Sequence, residues 1–99
     1  MSHYSIALLT PGTDAWIPAY VGAVGPLVEK HGGRYLLRTA DFELLEGEGG
    51  PAMVVVLEWP SKAAERAFYD DPAYAPHLAA RKAGATTTFY SVAGQDDLG

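Results

Sequence analysis

Two consecutive glycines divide this chain. In His31-Gly32-Gly33-Arg34-Tyr35-Leu36-Leu37-Arg38 a helical pattern stops and a strand pattern starts at once. Paired glycines admit positive φ, which is cheap for glycine alone. The block therefore sets how a helix hands over to a strand, and it places a histidine and two arginines around the junction.

Upstream, residues 3–9 read as a strand with Tyr4, Ile6 and Leu8 on one face. Ala7 and Leu9 make its other face apolar too, and Thr10-Pro11-Gly12 ends it. Thr13 is expected to cap a helix over 14–31, with Asp14 near its positive end. Ile17, Tyr20, Val21, Val24, Leu27, Val28 and His31 recur at helical spacing. The opposite face holds Gly22 and Gly25 beside Pro26. Glycine and proline weaken a helix, so a bend or a closely packed neighbour is expected there.

Downstream, residues 33–40 form a second strand, with Tyr35 and Leu37 on one face and Arg34, Leu36 and Arg38 on the other. Glu46 to Pro51 is a glycine-rich turn. The run 52–59 is almost wholly apolar, as in a strand covered on both faces. Ser61 caps a short helix over 62–70 whose inner face holds Ala64, Ala67 and Phe68. Asp71-Pro72 starts a helix over 72–83, Gly84 stops it, and Thr86 to Val92 is a β-branched and aromatic strand.

The order βαββαβ, with its second helix broken in two, is the ferredoxin-like α+β arrangement: a four-stranded antiparallel sheet with helices on one face. One domain spans 1–94, and 95–99 is a flexible C-terminal tail. The strands are apolar on both faces, yet the helices cover only one. A second copy of the sheet is the expected cover, giving a homodimer through the sheet faces.

Charge narrows the partners. The 99 residues carry a net charge of −5 without any Lys/Arg cluster, which argues against nucleic acid and against anionic membranes. No apolar run reaches the ~18 residues of a membrane span. The N-terminus has no basic segment leading into an apolar one, so a cytoplasmic location is the default. Without cysteine there is no disulfide, thiol nucleophile or thiolate metal site.

Several residues are candidates for chemistry. A hairpin centred near Glu48, with no bulge, sets Arg38 opposite Glu58 on one sheet face. Such a pair holds a polar ligand or serves as a structural ion pair. His31 closes a helix, where it caps the chain reversal or acts as a base. Tyr74, His77 and Arg81 share a helical stripe with Leu78; they line a pocket mouth or bury their stems with their tips in water. Tyr20 and Tyr69 are large rings with one hydroxyl each, and Trp16 and Trp59 are expected at the core or the dimer interface. The ligand-binding candidates are thus Tyr20, Arg38, Glu58, Tyr74 and Arg81, and the proton-transfer candidates are His31, Glu58 and His77. His3, His31 and His77 lack zinc spacing, and no serine elbow, phosphate loop or nucleotide fingerprint occurs, so neither a metal nor a cofactor is expected.

These blocks carry a family resemblance. Tyr20 and Pro26 precede His31-Gly32-Gly33-Arg34-Tyr35, then come Arg38 and Glu43-Leu44-Leu45-Glu46-Gly47. Val55-Val56-Leu57-Glu58-Trp59-Pro60-Ser61, Phe68-Tyr69-Asp70-Asp71-Pro72-Ala73-Tyr74 and Arg81 follow. The chain resembles the domain of unknown function 1330 family of the dimeric α/β-barrel superfamily, except that Thr39-Ala40-Asp41 stands where relatives often have a further glycine pair. The resemblance implies a dimer of face-packed sheets. It supplies no reaction, because the superfamily includes cofactor-independent monooxygenases, lactone isomerases, haem-degrading enzymes and non-catalytic binders. The expectation is a small-molecule-binding dimer, either a cofactor-independent enzyme of monooxygenase or isomerase type or a non-catalytic structural or regulatory module.

Overall fold

The computed structural model describes residues 2–99. Its elements run β1 (His3–Pro11), α1 (Ile17–Lys30), β2 (Arg34–Thr39), β3 (Met53–Trp59), α2 (Lys62–Tyr69), α3 (Ala75–Gly84) and β4 (Ala85–Ala93). The strands make one antiparallel sheet in the order β2-β3-β1-β4, and the helices pack on one side of it. This is the ferredoxin-like α+β fold expected from the sequence.

Register divides the sheet into two faces. Ser5 lies opposite Leu57 and Ser91, and Ala7 lies opposite Val55 and Phe89. Since side chains alternate along a strand, these residues share the face beneath the helices. Tyr4, Ile6 and Leu8 point the other way and are only half-buried. Val24 and Val28, one turn apart on α1, are buried in a core with Leu57, Trp59, Phe68 and Tyr74.

The glycine pair divides its work. Gly32 has φ +78°, the left-handed conformation that ends α1. Gly33 is needed for space, because a Cβ there would lie 2.5 Å from the Trp59 ring. Gly84 has a similar role: a Cβ would collide with the Trp16 indole. The Gly84 carbonyl accepts from the Gly12 and Thr13 backbone N–H groups and from Trp16 Nε1.

Several local expectations change. Helix α1 starts at Ile17 rather than 14, and Thr13 does not cap it. Trp16 Nε1 donates to the Thr13 carbonyl at 2.8 Å and ties the segment back to Gly84, while Pro18 occupies the first turn, where no N–H is missed. Nothing packs on Gly22 or Gly25, each of which has open space where a Cβ would sit. Ser61 does cap α2, accepting from the Ala64 backbone N–H at 3.1 Å. On α2 it is Glu65, not Ala67, that turns inward. Its carboxyl oxygens accept from the Ser5 and Ser91 hydroxyls at 2.5 Å each, which satisfies a buried polar group. Asp71 caps the turn ahead of α3 through the Ala73 backbone N–H, and α3 itself begins at Ala75.

Two glycine substitutions should move stability in opposite directions. Gly33→Ala drives a methyl into a fixed indole and should cost about 1–3 kcal/mol. Gly22→Ala adds a methyl in open space on a helix and should gain roughly 0.5–1 kcal/mol. Chemical denaturation of the two variants beside the parent tests both signs.

Candidate functional site

The helices leave part of the inner sheet face uncovered near the end of β1, beside the first turns of α1. A cavity of ≈ 330 Å³ lies there, at the lower end of the ~300–1,000 Å³ usual for small-molecule sites. Its walls are almost entirely apolar: Ala7, Leu9, Val55 and Phe89 from the sheet, Ile17 and Val24 from α1. The polar groups that reach it are few. They are Tyr20, Tyr35, Arg38, Tyr74, Arg81 and Thr87.

Four of the five residues expected to bind a ligand therefore meet at one cavity. Tyr20 and Tyr74 come from α1 and the start of α3, and their hydroxyl oxygens lie 2.7 Å apart. Arg81, two turns along α3 from Tyr74, donates from Nη2 to the Tyr74 hydroxyl at 3.5 Å, and its guanidinium lies 5.7 Å from the Phe89 ring centre. Burial, and then the neighbouring Tyr74, raise the Tyr20 phenol above its ordinary range. Tyr35 is raised as well, by burial, with Arg38 acting against it.

Arg38 reaches the cavity through a bulge. The pairing of β2 with β3 slips between Tyr35 and Leu37, so that Tyr35 lies opposite Leu57 and Arg38 opposite Val55. Both partners are on the helix-covered face, and an extra residue in β2 places Tyr35 and Arg38 there together. The guanidinium sits 4.0 Å from the Tyr35 ring centre, a cation–π contact.

The register of the hairpin, offset by three to four residues from one centred near Glu48, corrects the expected Arg38–Glu58 pair. Arg34, not Arg38, lies opposite Glu58, and its Nε donates to Glu58 Oε1 at 2.8 Å. Tyr4 donates to the other carboxylate oxygen at 3.1 Å. Arg34 first, then Tyr4, hold the Glu58 carboxyl below its usual range. Tyr4, Arg34 and Glu58 share the open face of the sheet, away from the cavity.

His31 and His77 do not line the cavity either. His31 Nε2 donates to Asp71 Oδ2 at 2.8 Å, and Lys30 Nζ reaches the same oxygen at 3.0 Å. Together they clamp the end of α1 to the turn before α3. His77 is half-buried on α3. Among the described residues no group of three or more His, Asp or Glu side chains is placed to hold a metal ion. Sequence reasoning missed Tyr35 and Thr87 as cavity residues. The Thr87 hydroxyl is buried and lacks a hydrogen-bond partner, and nothing in its β-branched strand context marks it out.

The family model described as Domain of unknown function (DUF1330) matches residues 2–95. No curated protein sequence matches the chain. Among solved structures, a protein of unknown function from Rhodopseudomonas palustris is similar at TM-score 0.80 and 21% identity, over 96% of this chain and 83% of that one. A dimeric ferredoxin-like protein of unknown function from Jannaschia sp. CCS1 is similar at TM-score 0.71 and 18% identity, over 94% and 99%. SnoaB, a cofactor-independent oxygenase from Streptomyces nogalater, is similar at TM-score 0.68 and 18% identity, over 98% and 96%. At these identities the likeness establishes the fold. No helix of the described residues is long and apolar enough to cross a membrane.

The clamp at Asp71 gives a pH dependence with a defined sign. The His31 hydrogen bond, then the Ala73 backbone N–H and Lys30, depress the Asp71 carboxyl well below its usual range. A depressed folded-state pKa adds stability above the unfolded value of ~3.9, and that stability is lost as the pH falls below it. Thermal melts should therefore show Asp71→Asn below the parent at neutral pH, with the two curves converging in acid.

Proposed function

The chain belongs to the domain of unknown function 1330 family, and from that premise we propose that it is a homodimeric small-molecule-binding protein whose ligand occupies the cavity between the sheet and α1. The observation that carries this reading is the cavity itself: an apolar chamber of ≈ 330 Å³ into which a few polar tips converge. A packed interior without a ligand role does not ordinarily leave such a space, since cores pack to crystal-like density.

The open sheet face supports the dimer. Leu37 and Tyr90 stand 43% and 53% exposed on it. Ile6, Leu8, Val54 and Val56 lie half-covered between them. A second sheet packed on these residues removes them from water in both subunits at once. The Jannaschia protein of the same fold is itself described as dimeric.

The cavity's lining discriminates between two reaction types for a bound ligand. An isomerase that moves a proton between carbons needs a base against the ligand, and no Asp, Glu or His lines this cavity. Cofactor-independent oxygenation of a ligand that enters already ionised needs no such wall group, and a protein of this fold carries that description. Oxygenation is therefore the preferred enzymatic reading, with non-catalytic binding as its alternative. Oxygen uptake in the presence of a bound ligand separates the two.

Two variants test the proposal. Ala7→Phe fills the chamber from the central strand and should abolish ligand-induced thermal stabilisation while the protein stays folded. Val56→Lys places a charge in the middle of the open face and should give monomers by sedimentation at micromolar concentration, where the parent sediments as a dimer. A monomeric parent would remove the dimer from the reading.

A further inference from the structure

Arg81 is 5% exposed, and among the described residues it has no carboxylate within 4.0 Å. Its one hydrogen bond among them is the 3.5 Å contact to the Tyr74 hydroxyl. A buried cation is costly unless a partner offsets it, and a guanidinium cannot shed its proton to escape that cost. The protein has 12 Asp and Glu against 7 Lys and Arg. None of those acids lines the cavity, while two arginines do.

Donor counting sharpens the point. Arg81 offers five N–H donors and no acceptor. The Tyr20–Tyr74 contact uses one of two phenolic protons, and the Tyr74 oxygen already accepts from Arg81. One O–H donor and most of the guanidinium are left without a partner at a cavity whose other polar groups are Tyr35, Arg38 and the unpartnered Thr87 hydroxyl. Complementarity calls for a ligand group that only accepts hydrogen bonds and carries negative charge, attached to an apolar body.

We infer that the cavity takes an organic monoanion, an aromatic carboxylate or phenolate, whose charged oxygen is held by Arg81 and the Tyr20–Tyr74 hydroxyl pair. This rests on the proposed ligand role of the cavity and goes further by naming the ligand class. Arg38, stacked on Tyr35, supplies a second positive group at the wall. The rings of Phe89 and Tyr74 supply surfaces for an aromatic body.

Matched probes separate charge from shape. The 1- and 2-naphthoates are compared by calorimetry, near neutral pH and at fixed ionic strength, with the corresponding naphthalenemethanols and with acetate. The naphthoate that fits should bind about tenfold or more tighter than its alcohol, as a charge-assisted bidentate contact warrants, and acetate should bind far more weakly. In Arg81→Met the preference for acid over alcohol should fall to within about threefold. The unliganded variant should melt no lower than the parent, because exchanging an unpaired buried cation for an apolar side chain of similar length is neutral or stabilising. Arg81→Lys, which keeps the charge but loses the planar fork, should retain part of the preference and serves if the Met variant does not fold.

Alcohols that bind as well as acids overturn the inference and leave the cavity a ligand site. No binding by any naphthalene probe overturns both. Acetate binding as tightly as the naphthoates makes the site a simple anion site and overturns the aromatic part. An Arg81→Met protein that melts far below the parent and still prefers the acid gives the guanidinium a structural role and overturns the assignment.

Discussion

The Trp59 indole is the contact on which the other parts of this fold converge. It is 1% exposed and closes the sheet-covered end of the core. Its ring occupies the space that Gly33 leaves open, so the handover from α1 to β2 is shaped around it. Its Nε1 donates to Ser5 at 2.9 Å, and Ser5 passes its own proton toward Glu65 on α2. Its face packs on Phe68 with ring centres 5.0 Å apart, and Phe68 packs on Tyr74 at 4.4 Å. From Tyr74 the aromatic chain continues edge-on to Tyr20 and then Trp16. One end of this row is fixed by close packing and polar bonds, while its other end forms the cavity wall. Position therefore propagates from a well-packed region to one that is deliberately left unfilled.

The cavity depends as much on one irregular residue in β2. Regular alternation would have sent Arg38 to the open face, as the sequence pattern implies. The slip between Tyr35 and Leu37 reverses that, and Leu36 falls outside the pairing. A bulge is a usual means of re-aiming a side chain near a site. Here it divides the arginines by task. Arg34 keeps regular pairing and neutralises Glu58 on the open face. Arg38 is carried over to the covered face beside Tyr35.

Long, strongly patterned features were readable in advance. The β-branched strands, the capped α2 and the glycine pair each encode a local preference, and these preferences agree with one another and give the ferredoxin-like order. Of the stripe Tyr74, His77, Leu78 and Arg81, helical spacing brings Tyr74 and Arg81 to the cavity wall, while His77 does not line it. What stayed hidden depends on tertiary context. The long loop between β2 and β3 does not fix their register, so Glu58 was matched with the wrong arginine, and a bulge has no sequence mark in Tyr35-Leu36-Leu37, so Arg38 was set on the wrong face. Glu65 reads as a solvated helix residue until Ser5 and Ser91 are seen to meet it across 60 and 26 positions of sequence. Those two serines, polar in the middle of apolar strands, were the available signal for a buried acceptor. His31 read as a helix cap because its partner Asp71 lies 40 residues away.

The distribution of charge then limits what the cavity can do. An excess of acid on the chain as a whole, with none of it at the chamber wall, leaves a positive enclosure inside a negative protein. The ionisable groups with resolved behaviour there are held in their protonated forms: Tyr20 and Tyr35 are raised, and arginine does not titrate in the accessible range. Such a wall stabilises negative charge on a ligand without removing a proton from it. In the proposed reading the ligand either enters as the anion or loses its proton to water at the cavity, where Arg81 lowers its pKa. On that reading the pH dependence of binding would belong to the ligand rather than to a protein base. The same electrostatics is what the proposed aromatic-anion ligand would require. Placement and charge stabilisation, rather than proton transfer by a side chain, are what this geometry is equipped to provide.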